Sequence, residues 1–351
     1  MPALHASLLA WYARARRDLP WRRTADPYAV WLSEVMLQQT RVETVVPYWH
    51  RFMASLPTVH ALAEAPLEQV LTLWSGLGYY RRARMLHEGA RQIARERRGE
   101  FPETAEALAA IEGIGPYTAG AVASIAFGQQ AALVDGNVAR VISRLFAVEE
   151  DVRRGPGLAR IWAIARLLVS EEDPSSWNQA LMELGALICV PRSPRCDECP
   201  ALELCDARRE GMETRLPVMA AKAKPLRARR AAIVATKGER VVLARRRVDG
   251  TFGGLWEPPM IDLGDGDEGG KGSFEALLGA PLLRFHGAGT VTHVLTHRRL
   301  EIDVFSGVLR GSPRSAGGPL YDALELVDPR AFGSRGLATL ARKVLALAKV
   351  E

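Results

Sequence analysis

Two carboxylates in this chain stand where an acid could take part in chemistry. Glu34 lies in an apolar run, on a predicted helix face shared with Val30 and Leu37. Burial there would raise its pKa and keep a proton on it near neutrality, although a core acid paired with an arginine would look the same. Asp135 opens another predicted helix, where the residue alone favours an N-cap over a role in chemistry. Together, two such acids suit glycosidic bond cleavage, which needs a proton donor and a negative group facing a sugar cation.

Four cysteines form the second group of candidate residues. They fall in one short segment with the spacing C-x6-C-x2-C-x5-C, and the rest of the chain has none. This clustering favours a metal site over a disulfide framework. A zinc ribbon usually has two C-x2-C pairs, so the single pair here favours a [4Fe–4S] cluster and leaves zinc as the alternative. The predicted ligands are Cys189, Cys196, Cys199 and Cys205.

A glycine pair marks a candidate nucleic-acid contact. Gly113 and Gly115 lie between two predicted helices, and Pro116 opens the second. Without side chains at the glycines, backbone N–H groups at a helix N-terminus can approach a phosphate oxygen. The segment therefore predicts a helix-hairpin-helix DNA-binding element, with an ordinary helix–turn–helix corner as the alternative.

The elements that must position these residues change in character along the chain. Helical periodicity runs from Leu4 to about Leu204, with an N-cap expected at Asp26, and β-strand patterns follow from Ala231. We predict a mainly α N-terminal region and a smaller α+β C-terminal domain, with these bounds: residues 1–215, a basic linker at 216–230, and residues 231–351. Within the second domain we expect strands at 231–235, 241–244 and 300–304, a Gly/Asp loop at 262–272 and a helix at 337–350.

Composition limits the class of protein without naming it. The net charge of +6 is compatible with a polyanionic partner. Hydrophobic residues make up 48%, which is enough for two cores. No apolar run approaches the roughly 18 residues of a membrane span. We therefore expect a cytoplasmic protein with no membrane partner.

The order and spacing of the motifs carry a resemblance to a known family. The chain resembles the MutY-type adenine DNA glycosylases of the endonuclease III-like, helix-hairpin-helix superfamily. The matching motifs are residues 34–40, 76–84, 113–115, 134–138 and the four cysteines. The resemblance implies a repair enzyme that flips a mispaired adenine out of DNA and hydrolyses its N-glycosidic bond.

The resemblance also implies roles for the catalytic candidates. Glu34 would protonate adenine at N7 and then activate water. Asp135 would stabilise the sugar cation or bond to it transiently, and Asn137 would help to hold the reacting centre. Relatives that also cut the strand carry a Schiff-base lysine just after the hairpin. Tyr117 occupies that place here. We therefore expect a monofunctional glycosylase.

The DNA contacts and the partner follow from the same resemblance. Gln38, Gln39, Thr40, Leu77 and Tyr79 would enter the stack and handle the base opposite adenine, and the hairpin glycines would meet phosphate. The expected partner is double-stranded DNA with adenine opposite 8-oxoguanine or guanine, bound by a monomer. The expected cofactor is a [4Fe–4S] cluster on the four cysteines.

The C-terminal domain resembles the MutT-like (Nudix-fold) domain of this family, best at residues 252–258. His297 lies where the family recognises 8-oxoguanine, although Leu295 and Thr296 depart from the family's pattern. A glycine-rich loop replaces the acidic metal-binding helix of a Nudix hydrolase, which disfavours nucleotide hydrolysis. Two further hypotheses compete with adenine removal: an oxidised-pyrimidine glycosylase and a non-catalytic DNA-binding iron–sulfur protein.

Overall fold

The computed structural model describes residues 2–221, 224–264 and 269–350. The chain forms two compact units: Met1–Ala63 with Glu88–Ala221, and Glu64–His87 with Lys222–Glu351. The second unit thus takes a segment from within the helical part of the sequence. In the described ranges, no helix combines the length and apolarity that crossing a membrane requires.

Helices make up almost all of the ordered structure before residue 221. In chain order they are α1 (Pro2–Ala15), α2 (Pro27–Leu37), α3 (Val42–Ser55), α4 (Val59–Glu64), α5 (Leu67–Leu73), α6 (Arg81–Arg97), α7 (Ala105–Ala109), α8 (Pro116–Phe127), α9 (Gly136–Leu145), α10 (Gly155–Leu168), α11 (Pro174–Leu187) and α12 (Asp206–Arg209). The expected cap is present, because the Asp26 carboxylate accepts the N–H groups of Tyr28 and Ala29 at the start of α2.

The core of the first unit holds α8, α9 and α11 close together. Ile142 on α9 and Trp177 and Leu181 on α11 are almost completely buried in it. Gly120 on α8 allows the closest approach, because a Cβ there would lie 2.0 Å from the carbonyl oxygen of Ala132. That segment leads directly into Asp135, so the small residue sets the position of a candidate catalytic acid.

The second unit is built on one mixed sheet. Its strands are β1 (Leu226–Lys237), β2 (Arg240–Arg246), β3 (Trp256–Glu257), β4 (Met260–Leu263), β5 (Leu282–Val294), β6 (Arg298–Leu309) and β7 (Tyr321–Val327). Strand β1 is central: it pairs in parallel with β6 and antiparallel with β2 and β4. Strands β5 and β7 extend the sheet by antiparallel pairing with β6 and β2.

Both faces of this sheet are covered, as the alternation along β1 requires. Ala232 and Val234 face the cluster that contains Val344 of helix α14 (Thr339–Leu347). Ile233 faces the cluster that contains Phe274 of helix α13 (Lys271–Leu278). The mainly α region and the α+β domain predicted from the sequence are therefore both present.

Three local expectations need correction. Strand β1 begins at Leu226, inside the stretch predicted as a linker, because backbone pairing with β6 accommodates charged side chains and Asp303 neutralises Arg229 at 3.1 Å. The predicted Gly/Asp loop is shorter, since Asp262 lies in β4 and Gly272 in α13, while residues 265–268 lie outside the described part. The closing helix spans Thr339–Leu347 rather than 337–350.

Replacing Gly120 with alanine should destabilise the first unit by about 3 kcal/mol, because the new methyl group must displace backbone. Gly136→Ala is the control, since a Cβ there has no heavy atom within 4 Å. Thermal or urea unfolding of both variants measures the difference. Equal stability of the two variants would contradict this close packing.

Candidate active site

Glu34 lies on the buried helix α2, with only 4% of its surface exposed. The Tyr117 hydroxyl, on α8, donates a hydrogen bond to Oε2 of this carboxyl group. The same hydroxyl lies 3.6 Å from the sulfur of Met182 on α11. Three helices thus meet around one acid, whose partner is a phenol and not the arginine that the core alternative required.

This environment changes the protonation of Glu34. Burial is the largest cause and raises the pKa of Glu34 to about 7, and the nearby negative charge of Asp135 adds to the rise. The hydrogen bond from Tyr117 and the positive charge of Arg22 act in the opposite direction. A carboxyl group with this pKa can both donate and accept a proton near neutral pH.

Asp135 is the N-cap of α9, and its carboxylate is held from two sides. Oδ1 accepts the N–H of Val138 at 2.7 Å, and Oδ2 accepts Nδ2 of Asn137 at 3.0 Å. Burial raises the pKa of Asp135, while these hydrogen bonds lower it. Capping and chemistry are therefore compatible here, because the cap fixes the direction of the carboxylate.

Asn137 is held in turn by Arg140. Nη2 of Arg140 donates to Oδ1 of Asn137 and to the carbonyl oxygen of Gly185, both at 2.8 Å. Its Nε donates to the carbonyl oxygen of Cys189 at 2.7 Å. Gly185 must be small, because a Cβ there would lie 2.6 Å from that of Asn137.

A second buried acid, Glu183, was not identified from the sequence. Its Oε2 pairs with Arg17 at 2.7 Å and with Arg22 at 2.9 Å. Burial raises the pKa of Glu183, but hydrogen bonds from the two arginines outweigh this effect and lower the pKa to about 2. The signal was available, because Glu183 interrupts an apolar run on its helix in the same way as Glu34.

The three predicted DNA contacts at the end of α2 differ in how far their side chains are exposed. Gln38 is its C-cap, and Nε2 of Gln38 donates to Oγ1 of Thr118 at 3.2 Å. Gln39 is exposed and has a φ of +58°, a strained conformation for a residue other than glycine. Thr40 is half-buried. Gln39 is thus the predicted contact of these three that is most open to a partner.

The other predicted DNA contacts differ in how far their side chains are exposed. Leu77 is buried, whereas 47% of Tyr79 is exposed and its φ is +47°. In the hairpin, Gly113 has a φ of +78° and Gly115 is the N-cap of α8. The backbone N–H of the neighbouring Glu112 donates to Oε1 of Gln92 at 2.9 Å. The two glycines therefore lie between α7 and α8, and α8 begins at Pro116 as the sequence predicts.

The four cysteines all line one cavity, together with apolar side chains, three arginines and one acid: Arg144, Arg195, Arg208 and Glu213. Nη1 of Arg144 lies 3.3 Å from Sγ of Cys189. Burial raises the pKa of the Cys199 thiol to about 11. Among the described residues, no three His, Cys, Asp or Glu side chains form a group suited to a single metal ion. Thiols around a shared cavity next to a buried cation fit an anionic thiolate-bound cluster.

In the second unit, His297 is exposed in the tight turn between β5 and β6. The turn is closed by the N–H of Leu295, which donates to the carbonyl oxygen of Arg298 at 2.7 Å. Helix α13 carries one acid, Glu275, whose carboxylate accepts the N–H of Leu282 at 2.7 Å. The carboxylate of Glu275 is thus engaged by the backbone at the start of β5.

The pKa of Glu34 predicts how Glu34→Gln changes stability with pH. Below about pH 4.5 the carboxyl is protonated in both the folded and the unfolded state, so wild type pays no ionisation penalty. As pH rises to about 7, only the unfolded state ionises freely, and wild type loses stability. Glu34→Gln should therefore gain up to about 3 kcal/mol over wild type above pH 7.

Urea unfolding at several pH values measures this difference, with the exposed Glu103→Gln as the control. A pH-independent difference between Glu34→Gln and wild type would mean that the pKa of Glu34 is not raised.

Comparison with known proteins gives the family. The model described as HhH-GPD superfamily base excision DNA repair protein matches residues 32–157, and a NUDIX domain model matches residues 230–347. An adenine DNA glycosylase of Rattus norvegicus is 38% identical over 369 residues, covering 88% of this chain and 71% of that protein. The Homo sapiens enzyme of the same name is 50% identical over 215 residues, covering 59% and 39%.

The structure of a thermostable thymine-DNA glycosylase is 30% identical with a TM-score of 0.55, covering 60% of this chain and 96% of that one. These matches confirm the predicted fold class, a helix-hairpin-helix region followed by a Nudix domain. The chain belongs to the adenine DNA glycosylase family.

Proposed function

We propose that this chain is a monofunctional DNA glycosylase of base excision repair. It removes adenine mispaired with 8-oxoguanine or guanine from double-stranded DNA. One observation carries the proposal: buried Glu34, with a pKa of about 7, is hydrogen-bonded to Tyr117 and influenced by the charge of Asp135. This arrangement supports a proton donor and a fixed negative charge, which N-glycosidic bond hydrolysis requires.

Each step uses a group already described. Protonated Glu34 gives its proton to N7 of adenine as the glycosidic bond breaks, so the base leaves uncharged. The carboxylate of Asp135, fixed by its cap and by Asn137, stabilises the positive sugar. Ionised Glu34 then takes a proton from the attacking water, which returns the acid to its starting state.

Tyr117 explains why the strand stays intact. A Schiff-base intermediate needs an amine, and the phenol of Tyr117 cannot form one. Its hydroxyl instead donates to Glu34 and so orients the acid. The products are free adenine and an abasic site.

Base flipping removes stacking that the protein must replace, at a cost of a few kcal/mol. We assign this task to Gln38, Gln39, Thr40, Leu77 and Tyr79. The exposed ring of Tyr79 is the strongest candidate wedge, because it offers a flat apolar surface to a base. Gly113 and Gly115 bind backbone phosphate through their N–H groups.

The cysteines would hold a [4Fe–4S] cluster, which would join the ends of the loop between Cys189 and Cys205 into one rigid element. Because Arg140 bonds to both the Cys189 carbonyl and Asn137, the order of that loop also orders Asn137.

The remaining assignments concern the whole chain. The helical region before residue 216 forms the glycosylase domain, and the sheet domain that begins at Leu226 recognises 8-oxoguanine, with His297 as a contact. The enzyme acts as a monomer in the cytoplasm.

Single-turnover adenine release from duplexes with adenine opposite 8-oxoguanine, guanine or thymine tests this function, with a borohydride trap alongside. We expect fast release opposite 8-oxoguanine, little opposite thymine and no strand cutting before alkali. No adenine release from any duplex would contradict the proposal and favour a pyrimidine-specific glycosylase or a non-catalytic binding protein.

Glu34→Gln should abolish adenine release and leave duplex affinity largely intact, because the amide keeps the shape of the side chain but cannot donate the proton. Burst kinetics and a mobility-shift titration on the same preparation measure the two quantities. Equal loss of affinity would make Glu34 a structural residue.

Cys199→Ser should remove the broad visible absorbance expected of the purified protein, because a cluster needs all four thiolates. Metal analysis should give about four iron atoms per wild-type chain. The control is Ser193→Ala, because Ser193 is an exposed residue in the same loop. A colourless protein with stoichiometric zinc would replace the cluster assignment.

A further inference from the structure

Glu68, on α5, joins the segment 64–87 to the C-terminal domain within the second unit. Its Oε1 accepts Nε1 of Trp256 at 2.8 Å and Nη1 of Arg335 at 3.0 Å. One carboxylate oxygen thus receives two donors from separate parts of the C-terminal domain. Hydrogen bonds to a charged group are stronger than those between neutral groups.

The surroundings of this contact make it costly to remove. Trp256 is only 1% exposed, and without Glu68 its indole N–H would lose a charged hydrogen-bond acceptor. The Arg335 guanidinium lies 4.6 Å from the Trp256 ring centroid, and its Nη2 also pairs with Glu325 at 2.8 Å. Glu68 therefore completes a preorganised arrangement of charge and ring.

Further contacts hold both sides of the loop that contains Leu77 and Tyr79. Before the loop, Ser75 Oγ donates to the carbonyl oxygen of Leu337 at 2.6 Å. After it, Nη1 of Arg84 donates to the carbonyl oxygen of Gly253 at 2.8 Å. The loop is thus attached to the C-terminal domain at both of its ends.

The tip of the loop meets the turn that carries His297. The Tyr79 hydroxyl lies within hydrogen-bond distance, 3.2 Å, of Oγ1 of Thr296. The candidate wedge and the candidate lesion-recognition turn therefore touch directly. Thr296 is one of the positions that depart from the family's pattern, and here its hydroxyl has a partner.

We propose that Glu68 is a positioning residue that holds the Tyr79 loop on the C-terminal domain, so that the loop and the turn at 295–298 read the base opposite adenine as one surface. This rests on the proposed function. Glu68 acts through its hydrogen bonds with Trp256 and Arg335.

Glu68→Ala tests the proposal, with exposed Glu64→Ala as a charge-matched control. The first readout is the ratio of single-turnover adenine release opposite 8-oxoguanine to that opposite guanine. Glu68→Ala should lower this ratio about tenfold, which is within the range of coupling between contacting residues. Loss of folded protein would lower both rates and leave the ratio unchanged.

The second readout needs no activity. Amide hydrogen exchange of the DNA-free protein should speed up at both 75–80 and 295–298 in Glu68→Ala and stay unchanged in Glu64→Ala. Unchanged exchange at 75–80 would overturn the positioning role. Faster exchange with an unchanged ratio would overturn the role in specificity.

If Glu68→Ala does not fold, Glu68→Gln replaces it as the test variant. The glutamine amide oxygen can still accept the Trp256 N–H, while the negative charge that faces Arg335 is lost. It should show a smaller fall in the ratio, and an unchanged ratio would overturn the proposal. A wild-type protein that releases no adenine would refute the proposed function, while the exchange result would still decide whether Glu68 positions the loop.

Discussion

The hydrogen bond between the Tyr117 hydroxyl and the buried Glu34 carboxyl is the interaction on which the account depends. Burial alone favours the neutral acid and would leave it a weak proton donor, whereas the phenol stabilises the ionised form as well. The balance gives a pKa of about 7, so one side chain can give and take a proton at neutral pH. The same burial opposes folding, because an ionised Glu34 has little access to water.

The surrounding structure keeps this acid and its partner in place. Asp135 caps α9 and so points its carboxylate in one direction, while Arg140 ties Asn137 to the carbonyl of Cys189. Glu183 forms ion pairs with two arginines, one of which is Arg22. The positive charge of Arg22 lowers the pKa of Glu34. Hydrogen bonds thus connect the predicted cluster loop to the cap at Asp135, and the charge of Asp135 in turn raises the pKa of Glu34.

Much of the fold and of the candidate site could be predicted from the sequence, because the sequence patterns that indicate them are local. The apolar run around Glu34, the glycine spacing of the hairpin and the cap at Asp26 each fall within a few residues. The Glu183–Arg17 pair joins residues 166 positions apart, and no sequence period reports such a contact. The hydrogen bond between Glu68 and Trp256 is likewise long-range. The start of β1 could not be predicted from its charged residues, because an exposed strand face needs no apolar pattern.

The pH dependence of single-turnover adenine release from a duplex with adenine opposite 8-oxoguanine shows whether Glu34 is the proton donor. Release should be fast in mildly acidic to neutral solution and fall tenfold per pH unit above about pH 7, as Glu34 loses its proton. A rate that stays constant to about pH 9 would mean that an acid with the raised pKa of Glu34 is not the proton donor.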